Sequence, residues 1–105
     1  MARPAELRVG DLCLDLTARR VRRGTTEVAL TAQEFSLLEA MARRKGEALT
    51  RERLVHLAWD IAYEARSNVV DVCVKGLRDA IDRPFGRRSL QTVRGVGYRL
   101  TEDLP

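Results

Sequence analysis

The chain has 105 residues, 45% of them hydrophobic and 32% charged, which favours one soluble globular domain with a single core. No apolar run reaches the roughly 20 residues of a membrane span, and the N-terminus lacks a signal-peptide pattern, so we expect a cytoplasmic protein. Nineteen basic and fifteen acidic residues give a formal net charge of +4, which suits a polyanionic partner such as nucleic acid but also fits an ordinary basic domain.

The potential metal ligands and nucleophiles are few and scattered. Cys13 and Cys73 lie far apart, and His56 is the single histidine of the sequence. A zinc site would need about four such ligands in clustered spacing, and a disulfide is unusual in a cytosolic chain. We therefore expect two partly buried apolar cysteines, no metal, no cofactor and no enzymatic activity.

The N-terminal part alternates apolar and polar residues in short segments. Residues 1–6 have the composition of a linker end, and Gly10-Asp11 and Gly24-Thr25 are turn signals. Alternation of period two between such turns predicts a small antiparallel sheet. The expected strands cover residues 7–9, 12–16, 20–23 and 27–29.

Helical periodicity begins at Thr31. Thr31 and Glu34 have the spacing of a capping box, and Gly46 is a stop signal for the helix that follows. Thr50 can cap a second helix, after which residues 63–67 lose the period and indicate a loop. The apolar positions expected to face the core are Phe35, Leu38, Met41 and Ala42 in the first helix, and Leu54, Leu57, Ala58 and Ile61 in the second.

A third helix and a hairpin complete the pattern. The helix opens near Asn68 and is ended by Pro84 and Gly86. Two extended segments at 90–93 and 98–100 flank the turn 94–97, which predicts a β-hairpin. The buried stripe of the third helix is Val70, Val74, Leu77 and Ile81, spaced i, i+4, i+7 and i+11.

The other face of the third helix is a candidate for reading DNA. A B-DNA major groove admits a helix, whose side chains can contact base edges and thymine methyl groups, and Lys75 and Arg78 could meet phosphates or a guanine. The alternative is an ordinary solvated face. Opposite the stripe lie Asn68, Val72, Lys75 and Asp79, with Val69 and Gly76 beside them.

The hairpin turn adds a second possible contact with DNA. Arg94 stands next to Gly95 at the predicted tip, from which its side chain would project. The negative potential of a narrow A·T-rich minor groove attracts such an arginine. A groove-reading helix beside a basic wing forms a coherent binding surface.

Several stretches together resemble the C-terminal effector domain of OmpR/PhoB-type response regulators. They are LTAQEF at 30–35, Trp59, NVVDV at 68–72, Leu77-Arg78 and TVRGVGY at 92–98. Residues 59–72 are most similar to the branch of heavy-metal-responsive, typically copper-linked, regulators. The resemblance implies an α+β winged helix-turn-helix domain over 7–101, with an N-terminal four-stranded antiparallel sheet, three helices, a C-terminal hairpin wing and a tail at 102–105.

The resemblance also implies a role in DNA binding for individual residues. Those at groove-facing positions of a recognition helix covering about 68–82 are Asn68, Val69, Val72, Lys75 and Gly76. Those at positions near the DNA backbone are Arg51, Trp59, Arg78, Thr92 and Tyr98. Arg94 matches the wing arginine of the minor groove, and the loop 60–66 matches the segment that faces RNA polymerase in relatives. Many relatives have Arg-Arg where this chain has Lys75-Gly76, so one potential base-reading side chain is absent here.

No receiver-domain pattern is present in the sequence, so the chain is either a fragment or a naturally shorter regulator, and the linker-like start favours a fragment. The resemblance implies a sensor kinase that acts only through the receiver, a dimer on tandem DNA half-sites, and a monomer for the isolated domain. The alternative is a winged-helix module that binds protein instead of DNA. Gly76 and the acidic residues Asp71, Asp79 and Asp82 support that alternative.

Overall fold

The structure is a computed structural model, and it describes residues 5–59 and 68–102. It is a mixed α+β domain with a four-stranded N-terminal sheet, three helices and a C-terminal hairpin, as the sequence predicts. The predicted loop at 63–67 and Ile61 lie outside the described residues. Within the described ranges, no helix has the length and apolar character needed to cross a membrane.

The four strands of the N-terminal sheet lie side by side in chain order, and every neighbouring pair is antiparallel. Leu14 pairs with Val21, which pairs with Val28, so one row of apolar side chains crosses the sheet toward the core. The fourth strand begins one residue earlier than predicted. The strands are β1 Glu6–Val9, β2 Leu12–Asp15, β3 Arg20–Arg23 and β4 Thr26–Val28.

The helices begin where the sequence signals predict. The capping box at α1 is complete: the amide of Glu34 donates to Thr31 Oγ1 at 3.1 Å, and the amide of Thr31 donates to Glu34 Oε1 at 3.0 Å. Thr50 accepts from the amide of Arg53 at 3.0 Å and caps the second helix. The helices are α1 Ala32–Ala42, α2 Arg51–Ala58 and α3 Val69–Leu77.

A second sheet contains a strand that the sequence analysis missed. Its strand order is β5-β7-β6, formed by β5 Leu49–Thr50, β6 Leu90–Val93 and β7 Gly97–Leu100. Gly97, predicted in the turn, belongs to β7, where it pairs with Thr50. A Cβ at Gly97 would collide with the carbonyl oxygen of Leu49 and lie 3.0 Å from Thr50 Cα. Glycine is therefore required for the two backbones to approach this closely.

The predicted third helix changes geometry beyond Leu77. It continues as a π-helical turn, Arg78–Asp82, and a 3₁₀ turn, Arg83–Phe85, and it ends at Gly86 in the left-handed conformation with φ of 64°. At this end, Arg23 from β3 donates through Nε to the carbonyl oxygen of Ile81 at 2.7 Å. The N-terminal sheet thus hydrogen-bonds directly to the irregular end of the helix.

Candidate nucleic-acid interface

The α3 helix presents the face that the sequence pattern predicts. Its apolar stripe of Val70, Val74, Leu77 and Ile81 is at most 2% exposed, which confirms the predicted orientation. On the opposite side Val72 is 62% exposed, and Asn68, Lys75 and Asp79 are also exposed. A large aliphatic side chain held in solvent by a well-anchored helix is available for contact with a partner.

The hairpin between β6 and β7 has a compact tip. The amide of Val96 donates to the carbonyl of Val93 at 3.0 Å, and Gly95 adopts a φ of 81°, which favours glycine. Arg94 is exposed at this tip, beside Val96, which is 41% exposed. The sequence analysis did not single out Val96. Its position between two glycines of the turn is the sequence feature that could have indicated its exposure.

A cluster of three polar side chains joins α2, α3 and the hairpin. Asp71, in the first turn of α3, accepts with Oδ1 from Arg51 Nε at 2.8 Å and from the Tyr98 hydroxyl at 2.5 Å. The guanidinium of Arg51 also lies 5.3 Å from the centre of the Tyr98 ring, within cation–π range. We refer to Arg51, Asp71 and Tyr98 as the interface triad.

The protonation of the triad follows from these contacts. The hydrogen bond from Tyr98, with a further contribution from Arg51, lowers the pKa of Asp71 below its usual range. Burial, reinforced by Asp71, raises the pKa of the Tyr98 hydroxyl. Near neutral pH the tyrosine is therefore a donor and the aspartate an ionised acceptor.

Arg78 links the C-terminal end of α3 to the hairpin through hydrogen bonds. It donates through Nε to the carbonyl of Leu90 at 3.0 Å and through Nη2 to Thr92 Oγ1 at 2.8 Å. Its guanidinium lies 5.6 Å from the centre of the Tyr98 ring, so a second arginine approaches the ring that Arg51 also contacts. These contacts place β6 and β7 alongside α3.

A mostly apolar cavity of about 510 Å³, which we call the α1–α3 cavity, opens where α1, α2 and α3 meet. Trp59 closes the C-terminal end of α2, with its amide donating to Val55 at 2.9 Å, and Gln33 donates through Nε2 to the carbonyl of Ala58 at 3.1 Å. The cavity is lined by Thr31, Gln33, Glu34, Trp59, Asn68, Val69, Val72 and Cys73. Cys73 is buried, more fully than the sequence predicts, and burial, with a smaller effect of Glu34, raises the pKa of its thiol to about 11, which is typical of an inert cysteine.

Gly76 has a structural contact that sequence reasoning missed. It lies against α1, where a Cβ would collide with the carboxylate of Glu34 and lie 3.2 Å from Glu34 Cδ. The same carboxylate closes the capping box at Thr31. Glycine at this position thus makes room for the side chain that caps α1, a relation between distant residues that local periodicity does not reveal.

The structure divides the eleven predicted site residues into three groups. Arg51, Arg78, Thr92 and Tyr98 are linked by hydrogen bonds or cation–π contacts through Asp71 and the tyrosine ring. Four others line the α1–α3 cavity, namely Trp59, Asn68, Val69 and Val72. Lys75 and Arg94 are exposed on α3 and at the hairpin tip, and Gly76 packs on Glu34.

Comparison with curated proteins shows similarity to transcriptional regulators. TcrA of Mycobacterium tuberculosis is 56% identical over 101 residues, which are 96% of this chain and 40% of the relative. CusR of Escherichia coli is 44% identical over 96 residues (91% and 42%), and SilR of Salmonella typhimurium, a probable transcriptional regulatory protein, is 43% identical over 102 residues (95% and 45%). The chain therefore spans less than half the length of these relatives. The matches to CusR and SilR confirm the resemblance to the copper-linked branch.

Solved structures share the fold and its topology. The DNA-binding domain of RstA from Klebsiella pneumoniae, in complex with the RstA box, superposes with a TM-score of 0.77 at 25% identity, covering 92% of this chain and 97% of that domain. DrrB of Thermotoga maritima, an OmpR/PhoB homologue, gives a TM-score of 0.77 at 34% identity, covering 91% and 44%. Residues 25–100 match the family described as transcriptional regulatory protein, C terminal. This chain belongs to that family, the C-terminal DNA-binding domains of OmpR/PhoB-type regulators.

Proposed function

We propose that this chain binds double-stranded DNA in a sequence-specific manner as the output domain of a two-component response regulator. In this proposal the helix over about 68–82 enters the major groove, where Asn68, Val72 and Lys75 contact base edges or phosphates. Arg94 at the hairpin tip enters the neighbouring minor groove.

One observation carries the proposal most directly. In the described part of the chain, the large hydrophobic side chains that are exposed are Val72, on the outer face of α3, and Val96, at the hairpin tip. The contacts of Arg78 with β6 and of Asp71 with β7 hold these two elements side by side. Exposed apolar groups on two adjacent elements suit a grooved partner, because thymine methyl groups provide apolar contact in the major groove.

The electrostatics of this surface support a polyanionic partner. Arg51 and Arg78 flank one aromatic ring, and Arg94 and Lys75 lie exposed beyond it. The formal net charge of the chain is +4. We infer that phosphate contacts, including those of Trp59 and Thr92, provide orientation and most of the salt-dependent affinity, while base contacts provide specificity. Tyr98 is buried and donates its hydroxyl proton to Asp71, so its part in this surface is to orient the neighbouring side chains.

The remaining roles belong to the complete regulator and stay proposals. We infer that two such domains bind tandem half-sites as a dimer, and that pairing through a receiver domain raises their effective concentration on DNA. A sensor kinase would act only through that receiver, and the loop 60–66 would face RNA polymerase. An isolated domain is then expected to be monomeric and to bind DNA weakly.

The alternative of a protein-binding module loses its main support. That alternative was supported by three acidic residues of the predicted third helix, Asp71, Asp79 and Asp82. Each of these carboxylates has partners within the domain: Asp71 in the interface triad, Asp79 with Lys75 and Arg83, and Asp82 with the buried Arg23. These residues therefore do not form an unpaired acidic surface for a basic protein partner.

Selection from a random duplex library, followed by titration of the enriched duplex across a salt series, tests the proposal. We expect a short enriched motif and binding that weakens steeply as salt rises. Arg94→Ala should lower the affinity most on A·T-rich flanks, whereas the matched control Arg20→Ala, on the N-terminal sheet, should not. Absence of salt-dependent binding by the unmodified chain would overturn the DNA assignment.

A further inference from the structure

Asp71 is an acidic residue in the middle of the candidate interface, where a carboxylate would ordinarily repel DNA. It lies in the first turn of α3, one residue before the exposed Val72. Its side chain is 40% exposed, yet one of its oxygens receives hydrogen bonds from two different elements, α2 and β7. Both donors, Arg51 and Tyr98, are among the residues predicted to contact phosphates.

We propose that Asp71 is a positioning residue for DNA-backbone binding, which holds the Arg51 guanidinium in place at the junction of α2, α3 and the hairpin. Tyr98 is 5% exposed and donates its one hydroxyl proton to the same carboxylate, so it fixes Asp71 and does not itself donate to a phosphate. This inference rests on the proposed function and adds to it a residue that the sequence reasoning counted as evidence against DNA binding. Asp71 contacts Arg51 through Nε, and a guanidinium has five N–H donors. The terminal amino groups of Arg51 can therefore donate to a phosphate while Nε stays on Asp71.

The benefit of this arrangement is preorganisation. A free arginine side chain has many rotamers and loses that freedom when it binds, whereas a side chain already held in one orientation loses less. Arg51 is held twice, by the carboxylate at 2.8 Å and by the Tyr98 ring at 5.3 Å. With Arg78 at 5.6 Å from the same ring, two guanidinium charges and one carboxylate charge lie around the tyrosine, so the cluster remains cationic.

Asp79 provides a matched comparison on the same helix. It also pairs with basic residues, with Lys75 at 3.4 Å and Arg83 at 2.7 Å. Those two side chains are 74% and 66% exposed, and neither is held by a ring contact or by a bond to the hairpin among the contacts that the structure describes. Asp79 therefore lowers the local positive charge without the tertiary framework that surrounds Asp71.

The test measures Kd of the 105-residue chain for the duplex enriched in the library selection, across a salt series, for the unmodified chain and for Asp71→Ala, Asp71→Asn and Asp79→Ala. We expect Asp71→Ala to weaken binding about tenfold, on the scale of one charge-assisted hydrogen bond, and to reduce the slope of log Kd against log salt by about 0.9, one phosphate contact. Asp71→Asn, which keeps an acceptor oxygen, should restore part of the loss. Asp79→Ala should bind as well as the unmodified chain or better.

A thermodynamic cycle with Arg51→Ala separates positioning from a general structural effect. If Asp71 acts through Arg51, Asp71→Ala should cost much less in the Arg51→Ala background, with all variants showing cooperative thermal unfolding. Tighter binding by Asp71→Ala, an unchanged salt slope, or additive effects in the cycle would overturn the role of Asp71 alone. Failure of the unmodified chain to bind would instead overturn the proposed DNA function.

Discussion

Two arginine–aspartate groups in this domain have similar chemistry but different surroundings. The first, which we call the buried joint, consists of Arg23, Asp82, Ser89 and Asp11, and it links the N-terminal sheet to the end of the third helix. The side chains of Arg23 and Asp82 are 2% and 4% exposed. The second is the interface triad, in which the side chains of Arg51 and Asp71 are 48% and 40% exposed.

The buried joint satisfies its charge almost completely. Arg23 donates to Asp11 Oδ1 at 2.7 Å, Asp82 Oδ1 at 3.2 Å and Ser89 Oγ at 2.6 Å, in addition to the Ile81 carbonyl. Asp82 accepts in turn from the amide of Leu90 at 3.0 Å. A group desolvated to this degree needs every partner, whereas an exposed group can exchange a protein partner for water or a phosphate. We therefore expect the joint to contribute to stability, and the proposed role of the triad is in binding.

Breaking the buried joint should give the largest effect on folding. Arg23→Met leaves the carboxylate of Asp82 buried without its counter-ion, and we expect the free energy of unfolding to fall by about 3–5 kcal/mol in urea denaturation. The matched control Arg22→Met changes the same charge on the adjacent, exposed position of β3 and should leave the urea midpoint close to that of the unmodified chain. A loss below about 1 kcal/mol for Arg23→Met would remove the distinction between the two groups.

A contact between the helices should show an intermediate effect. Alanine at Gly76 would gain about 1 kcal/mol of helix propensity, but its Cβ collides with the Glu34 carboxylate and disturbs the capping box. We expect Gly76→Ala to give no gain in the unmodified chain and a stabilisation of about 1 kcal/mol in the Glu34→Ala background. Urea denaturation of the unmodified chain, the two single variants and the double variant measures this coupling. Equal effects of Gly76→Ala in both backgrounds would show that the absence of a side chain at Gly76 is not needed to accommodate Glu34.

Local signals in the sequence predicted most of the secondary structure. The capping box of Thr31 and Glu34 and the stripe of α3 depend on residues three to eleven positions apart, so each can be recognised without the fold. Alternation in β3 also places Arg23 on the same face as the buried Val21. The burial of Arg23 could therefore have been predicted from the sequence. Fold class followed from these patterns and from the family resemblance.

Relations between distant residues could not be predicted in the same way. The two-residue strand β5 exists because Leu49 pairs with Tyr98, and nothing in its own sequence indicates a strand. The role of Asp71 depends on partners 20 and 27 positions away, and that of Gly76 depends on Glu34 in another helix. The candidate DNA-binding residues could therefore be named from the sequence, and their role stays a prediction, while the contacts among them could not be predicted.

The triad should contribute little to folding, which sharpens its contrast with the joint. Arg51→Ala removes one partner of Asp71 but leaves the hydrogen bond from the buried Tyr98, and the Asp71 side chain, 40% exposed, can replace Arg51 by water. We expect no resolvable change of the urea midpoint, together with a salt dependence of DNA binding that is shallower by about one phosphate contact. A loss of stability comparable to that of Arg23→Met would place the triad with the joint, as a structural element.

The acid titration of Asp71 should change the stability of the fold only slightly. Its folded-state pKa is lowered from the ordinary value of 3.8 by the Tyr98 hydrogen bond and by Arg51, so its stabilisation is present above that value and is lost as pH falls through the folded-state pKa. The difference in free energy of unfolding between the unmodified chain and Asp71→Asn should therefore stay constant from neutral pH down to about pH 5 and shrink below about pH 4. Because the side chain is partly solvated, the total change should be roughly 0.5 kcal/mol. A difference that persists unchanged to pH 3 would mean that the pKa of Asp71 is the same in the folded and unfolded states, and that its charge does not contribute to the stability of the triad.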